Sequence, residues 1–187
     1  MCLSEILRYA GVRGEAPEVA ARVEKLLAEV LPLLSYSVCY SVQEIKREGE
    51  LLDLGIARLC SKTAARALAD CDAVLFMVAT VGHGIDRFVL RSAVTSPAVA
   101  QLADAIGTER IEALCDAFCR DIANGEVGDG RQPRPRISPG YGDLSLALQQ
   151  DIFRALTPSA KIGVALTEHF QMSPSKSVSA LVGLQKR

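Results

Sequence analysis

The spacing of apolar residues divides the first third of the chain into helical and extended segments. Apolar side chains recur at helical intervals over residues 17–34, which predicts an amphipathic helix. A shorter helix is predicted over residues 3–10, ending at Gly11. Residues 35–46 carry tyrosines and β-branched residues and predict a strand, with residues 50–54 as its partner across a glycine turn.

The middle of the chain predicts a buried strand between helices. Residues 62–71 are rich in alanine and favour a helix. Residues 73–79 are continuously apolar, which is typical of a central strand buried on both faces. The segment Gly82-His83-Gly84 ends this strand, and a further helix is predicted to about Ser92.

A long helix is predicted next, with Ser96 as its cap and Pro97 at its first position. It extends to about Asn124, and Gly107 marks a potential break.

The last third begins with irregular backbone and ends with strands. Residues 125–142 are rich in glycine, proline and arginine, which favours a loop. A helix over residues 146–156 and strands over residues 162–166 and 178–184 follow. Because helices and strands mix without strict alternation, the predicted fold class is α+β.

The composition indicates one compact domain. The chain has 187 residues, of which 49% are hydrophobic, and its mean hydropathy is +0.20. We expect a single domain over residues 1–187. Its first part, residues 1–125, is helix-rich with buried strands, and residues 126–187 carry the glycine-rich loop, a helix and the closing strands.

The charge balance and the length of the apolar runs argue against two classes of partner. A net charge of −1 and a pI near 6.1 argue against a general nucleic-acid binder. No apolar run reaches the roughly 18 residues that a membrane span needs, so no membrane partner is expected. The N-terminus lacks the layout of a signal peptide, and we expect a cytoplasmic protein.

The cysteines leave one alternative open. Six are scattered through apolar or helical segments. Cys115 and Cys119 lie four residues apart on the long predicted helix and are therefore candidate metal ligands. Only two histidines and no second cysteine pair accompany them, which favours reduced, partly buried thiols.

The segment Arg-Ile-Ser-Pro-Gly-Tyr has the composition of a ligand-binding loop. Arg136 offers a planar charged fork for a carboxylate or phosphate. Pro139 stiffens the backbone, and Gly140 permits a turn and a close approach to a ligand. Tyr141 adds a flat ring and a hydroxyl. Taken alone, this string also fits an ordinary surface turn.

A second segment about 25 residues later strengthens the functional interpretation. It reads Leu166-Thr167-Glu168, then Met172-Ser173-Pro174 and Ser177-Val178-Ser179. Together, the two segments resemble the activation domain of cobalamin-dependent methionine synthase over residues 136–184. The N-terminal part, with Leu7-Arg8-Tyr9, is more similar to small stand-alone relatives of that domain. One departure is Ser145, where the family loop often has proline.

The resemblance implies a fold and a ligand. The expected fold is a mixed or antiparallel twisted sheet with helices packed around it. The family loop binds S-adenosylmethionine through positions that correspond to Arg136, Ser138, Gly140 and Tyr141. Acidic partners for the ligand's ammonium and sulfonium are also expected. The candidates, with the first two preferred because they follow predicted strands, are Asp86, Glu168, Glu112 and Asp116.

The resemblance also implies a function in methionine biosynthesis. Such a module supports the reductive remethylation, or reactivation, of a cobalamin protein such as a methionine synthase. The sequence contains no Asp-x-His-x-x-Gly cobalamin-ligand motif. We therefore expect the cobalamin on a partner methionine synthase subunit, with this methyltransferase component acting in trans. An electron donor such as a flavodoxin or ferredoxin is also implied.

Two alternative functions fit the sequence less well. A non-catalytic small-molecule sensor or accessory binding protein on the same scaffold fits the Ser145 departure. A Ser or Cys hydrolase is disfavoured because no catalytic arrangement is recognisable. The segment Gly82-His83-Gly84 lacks the pattern of a phosphate-binding loop and indicates a tight turn.

Overall fold

The computed structural model describes residues 1–125, 127 and 130–186. The helices in these ranges are α1 (Leu3–Tyr9), α2 (Pro17–Val30), α3 (Lys62–Ala67), α4 (His83–Thr95), α5 (Pro97–Ala123), α6 (Leu148–Leu156) and α7 (Pro158–Ile162), with a 3-10 helix at Leu31–Leu33. The strands are β1 (Ser37–Glu44), β2 (Lys46–Glu48), β3 (Leu51–Asp53), β4 (Arg58–Leu59), β5 (Ala73–Thr80), β6 (Gln132–Pro133), β7 (Ala165–Leu166), β8 (Met172–Ser173) and β9 (Ser177–Gln185).

A four-stranded antiparallel sheet organises the fold, in the order β1-β5-β9-β6. All eight residues of β5 are buried, because strands flank both of its edges and helices cover both of its faces. The apolar run predicted as a central strand is therefore confirmed. Two small antiparallel sheets, β2-β3-β4 and β7-β8, complete the strands of the described part.

Alternate residues of β5 enter two separate cores. Leu75 and Met77 pack with α1, α2 and α5 on one face. Val74 and Phe76 pack with α3 and α6 on the other face. This alternation follows from the period of two in an extended strand. The predicted α+β class, with an antiparallel sheet between helices, is confirmed.

Helix α5 is continuous through Gly107, so the potential break does not occur. The absence of a side chain at this position serves close packing instead. A Cβ atom built on Gly107 lies 3.0 Å from Ile85 Cγ1 and 3.1 Å from Lys176 Cγ. Gly107 therefore lets α4 and the segment before β9 approach the helix.

Two of the boundaries that differ from the sequence prediction have a clear local cause. The helix predicted over residues 17–34 ends at Val30 and tightens to a 3-10 turn that contains Pro32. The strand predicted over residues 162–166 is wrong at its start, because Ile162 ends α7 and Gly163 turns the chain with φ +69°. In the predicted irregular segment, residues 126, 128 and 129 lie outside the described residues.

Candidate functional site

The arginine-to-tyrosine motif begins at an edge of the main sheet. Ile137 and Leu181 exchange two backbone hydrogen bonds of 2.9 and 2.8 Å, which continue the pairing of β6 with β9. Arg134 N also donates to Gly183 O at 2.8 Å. The start of the motif is therefore held beside β9. We call residues 136–143 the 136–143 loop.

A tight turn shapes this loop. Tyr141 N donates to Ser138 O at 3.1 Å, which closes a four-residue turn with Pro139 second and Gly140 third. Gly140 has φ +91°, the left-handed conformation that a type II turn requires at its third position. Gly140 N also donates to Leu144 O at 2.7 Å. The type II turn therefore explains why the motif contains proline followed by glycine.

Arg136 joins the loop to α5. Its Nη2 atom lies 2.6 Å from Oε2 of Glu112 and 3.0 Å from Oδ1 of Asp116. These two acids are four residues apart on α5 and therefore share one face of the helix. The Arg136 side chain is 22% exposed, and the side chains of Glu112 and Asp116 are 41% and 60% exposed. The ion pairs thus lie at the border between protein and solvent.

Beneath Arg136, Cys115 closes the site towards the core. Cys115 is fully buried on α5, and burial raises the pKa of its thiol to about 12. A neutral thiol at this position leaves the charges of the site to Arg136 and the two carboxylates.

These residues border an open cleft of about 350 Å³. Its volume is within the range of small-molecule sites. The residues lining it combine charged, polar and apolar groups: Glu112, Arg136, Ile137, Ser138, Tyr141 and Val178. The Tyr141 side chain is 73% exposed and stands at the mouth of the cleft. The arrangement can hold a ligand that carries a carboxylate, a cationic group and a flat ring.

The structure brings together some of the predicted site residues and separates others. Arg136, Ser138 and Tyr141 line the cleft, and Gly140 shapes its turn. Of the four acidic candidates, Glu112 lines the cleft and Asp116 contacts Arg136. The two acids ranked first in the sequence are placed elsewhere.

Asp86 and Glu168 are not among the residues lining the cleft. Asp86 Oδ2 accepts a hydrogen bond from Ser175 N, and its Oδ1 accepts one from Ser175 Oγ, each at 2.7 Å. Asp86 therefore fastens the segment before β9 to the first turn of α4. Glu168 lies in the exposed turn between β7 and β8, with Oε1 3.5 Å from Nε2 of His169. A ligand contact by either acid stays a prediction.

Position after a predicted strand favours Asp86 and Glu168 as ligand contacts over the two acids of α5. The spacing of Glu112 and Asp116 was the available signal, since acids at i and i+4 share a helix face. Val178 was missed as a cleft residue, because the contact depends on the lateral placement of β9 beside the loop.

A larger groove of about 490 Å³ lies at the start of α3. It is lined in part by Arg47, Lys62 and Asp143. Nη2 of Arg47 already donates to the carbonyls of Leu68 and Cys71, at 2.6 and 2.8 Å. The carboxylate of Asp143 likewise already accepts hydrogen bonds from Ser61 Oγ and Lys62 N. The smaller cleft therefore offers the better arrangement of charged groups for a ligand.

No protein-family model and no curated protein matches the sequence. Among solved structures, the chain is similar to one described as the crystal structure of the MetH reactivation domain bound to AdoHcy. The TM-score is 0.69 at 14% sequence identity, and the match covers 97% of this chain and 74% of the other. Across the described residues, no helix is long and apolar enough to cross a membrane. The chain has the fold of the MetH reactivation domain.

Proposed function

We propose that this protein binds S-adenosylmethionine in the cleft and supports the reductive remethylation of a separate corrinoid protein, such as a methionine synthase subunit. The observation that carries the proposal is the placement of Arg136 between its loop and two carboxylates of α5, beside Ser138 and Tyr141. The similar fold was solved with AdoHcy, which is S-adenosylmethionine without the transferable methyl group.

Arg136 retains donors for a ligand carboxylate. Both of its contacts with α5 use Nη2, so within the described part of the chain the N–H groups at Nε and Nη1 have no protein acceptor. A guanidinium carries five N–H donors in a planar fork. Glu112 and Asp116 would therefore orient the fork while its other edge receives the carboxylate of the amino acid moiety.

The charges of the cleft suit a cationic ligand. One guanidinium and two carboxylates leave one negative charge in excess. S-adenosylmethionine carries one carboxylate, one ammonium and one sulfonium, and so has one positive charge in excess. Glu112 and Asp116 would attract both cationic groups, and the same carboxylates would repel a polyphosphate such as ATP.

The remaining lining offers an apolar wall and a flat surface. Val178 and Ile137 contribute apolar area, and the exposed ring of Tyr141 provides a face for the adenine. The hydroxyl of Ser138 adds a donor and an acceptor. Because the cleft is open, a bound sulfonium would stay accessible to a docking protein.

The proposed reaction transfers the methyl group of S-adenosylmethionine to a corrinoid that has received one electron, and it leaves S-adenosylhomocysteine. This protein contributes the orientation of the methyl donor. No general base is needed for a methyl transfer of this kind. The electron comes from a separate donor, such as a flavodoxin or ferredoxin.

A reconstitution tests the proposal. The protein, S-adenosylmethionine, a reductant and a cob(II)alamin-loaded methionine synthase subunit are mixed, and each is omitted in turn. Loss of the cob(II)alamin absorption and formation of methylcobalamin are expected only in the complete mixture. Binding of S-adenosylmethionine without methylation of a cognate corrinoid partner would favour the sensor function instead.

A further inference from the structure

The far end of the 136–143 loop is fastened to the start of α3. Asp143 Oδ1 accepts hydrogen bonds from Ser61 Oγ at 2.7 Å and from Thr63 N at 3.0 Å. Its Oδ2 accepts one from Lys62 N at 2.7 Å. Ser61 Oγ also accepts from Ala64 N at 3.1 Å and so caps the helix. One carboxylate thereby connects the loop to three consecutive residues that lie far back in the sequence.

The residue before Asp143 is fitted to the same helix. Gly142 has φ +59°, and a Cβ atom built on it would collide with Oγ1 of Thr63. A larger residue would displace the Thr63 side chain and would be strained at this backbone conformation. The bonds from Ser61 Oγ and the two α3 amides hold the pKa of Asp143 well below its usual range. Geometry and charge both favour the close contact.

The two limbs of the loop are therefore fastened to different parts of the fold. Ile137 and Arg136 hold the first limb to β9 and α5. Asp143 holds the second limb to α3. The turn that carries Ser138 and Tyr141 lies between them and depends on both attachments.

We infer that Asp143 is a positioning residue, which through α3 holds the Ser138–Tyr141 turn in the conformation that contacts the ligand. Asp143 is not among the residues lining the cleft, so it acts through the loop. The ligand part of this inference rests on the proposed function. The order of the loop is measurable without any ligand.

The test compares Asp143→Asn with Asp151→Asn. Asp143→Asn keeps the shape of the side chain but removes its charge and one of its two acceptor oxygens. Asp151 is a matched control, because the ion pair of its carboxylate in the described structure is with Arg154, at 2.8 Å within α6. Hydrogen exchange is measured at the amides of Gly140 and Tyr141 in the loop and of Leu144 directly after it, each of which donates to an acceptor in or next to the loop. Calorimetry measures the affinity for S-adenosylhomocysteine.

We expect Asp143→Asn to speed exchange of the three loop amides by about tenfold, while the amides of β5 and β9 are unchanged. The affinity should fall by about tenfold, which corresponds to the loss of one charge-assisted hydrogen bond. Asp151→Asn should match the parent in both measurements.

Unchanged loop exchange in Asp143→Asn would overturn the inference. Faster exchange with parental affinity would also overturn it, since the conformation of the loop would then not matter for the ligand. If the parent itself does not bind, the proposed function fails, while the exchange data still decide whether Asp143 holds the loop. Should Asp143→Asn not fold, Ser61→Ala removes one of the three bonds together with the cap at Ala64 N. It should change loop exchange and affinity in the same direction, and exchange at the Ala64 amide reports the loss of the cap separately.

Discussion

Arg136 and Glu112 are 24 residues apart in the sequence, yet Nη2 of Arg136 lies 2.6 Å from Oε2 of Glu112. This contact joins a loop at the edge of the sheet to the longest helix of the described chain. It also leaves the other edge of the guanidinium open to the cleft. The ion pair therefore fixes the orientation in which Arg136 would meet the proposed ligand.

Arg136→Ala should weaken binding of S-adenosylmethionine by about 1.5–3 kcal/mol, because a charge-assisted hydrogen-bonding partner is lost. Arg136→Lys should restore only part of the affinity, since an ammonium lacks the planar fork. Arg134→Ala is the matched control, as its side chain is exposed and is not among those lining the cleft. Calorimetric titration of the three variants measures the effect. If Arg136→Ala binds like Arg134→Ala, the arginine has a structural role only.

Glu112→Gln should reduce the preference for S-adenosylmethionine over S-adenosylhomocysteine. The two ligands differ in one positive charge, so removal of one carboxylate should weaken S-adenosylmethionine by roughly tenfold and the neutral ligand by less. Asp121→Asn, on the same helix and not among the residues lining the cleft, serves as control. Competition binding measures the ratio of the two affinities. An equal loss for both ligands would show that Glu112 does not recognise the sulfonium.

Tyr141→Ala should impair methyl transfer with little loss of stability. Tyr141 is 73% exposed, so its removal costs little buried apolar area. Its proposed contact with adenine orients the ligand, and that contact would be lost. Rates in the reconstituted mixture and thermal unfolding of the same variant separate the two effects. A large fall in melting temperature with an unchanged rate would contradict this role.

Asp143 should contribute to stability in a pH-dependent manner. Its pKa is lower in the folded protein than the usual value of about 4, so the contribution is complete above that value and is lost as the pH falls below it. Chemical unfolding of the parent and of Asp143→Asn between about pH 3 and pH 7 measures the difference. The parent should be more stable at neutral pH, and the gap should narrow in acid. A gap that is independent of pH would show that the carboxylate is not stabilised by folding.

Much of the fold follows from local sequence signals. The apolar run of β5 was predictable, because it depends on neighbouring residues. The predicted pairing of residues 35–46 with residues 50–54 is wrong for most of its length, because β1 pairs with β5 and only the short β2 pairs with β3 across Gly49. Pro32 is a local signal for the end of α2, but the apolar periodicity continues past it and predicts a helix that is too long. Helix α7 is too short to show a clear period.

The site was predictable only in its loop. Arg136, Ser138 and Tyr141 form a sequence motif, whereas their partners depend on how α5, β9 and α3 pack. The role of Asp86 illustrates the limit. A ligand contact by Asp86 stays a prediction, and nothing in the sequence indicates that its carboxylate accepts a hydrogen bond from Ser175, which lies 89 residues away.

The most direct test of the account is calorimetric titration of the unmodified protein with S-adenosylmethionine, S-adenosylhomocysteine and ATP. The charges around Arg136 predict that both adenosyl amino acids bind, with S-adenosylmethionine the tighter, and that ATP binds much more weakly. ATP binding as tight as, or tighter than, S-adenosylmethionine would indicate a phosphate site and contradict the account.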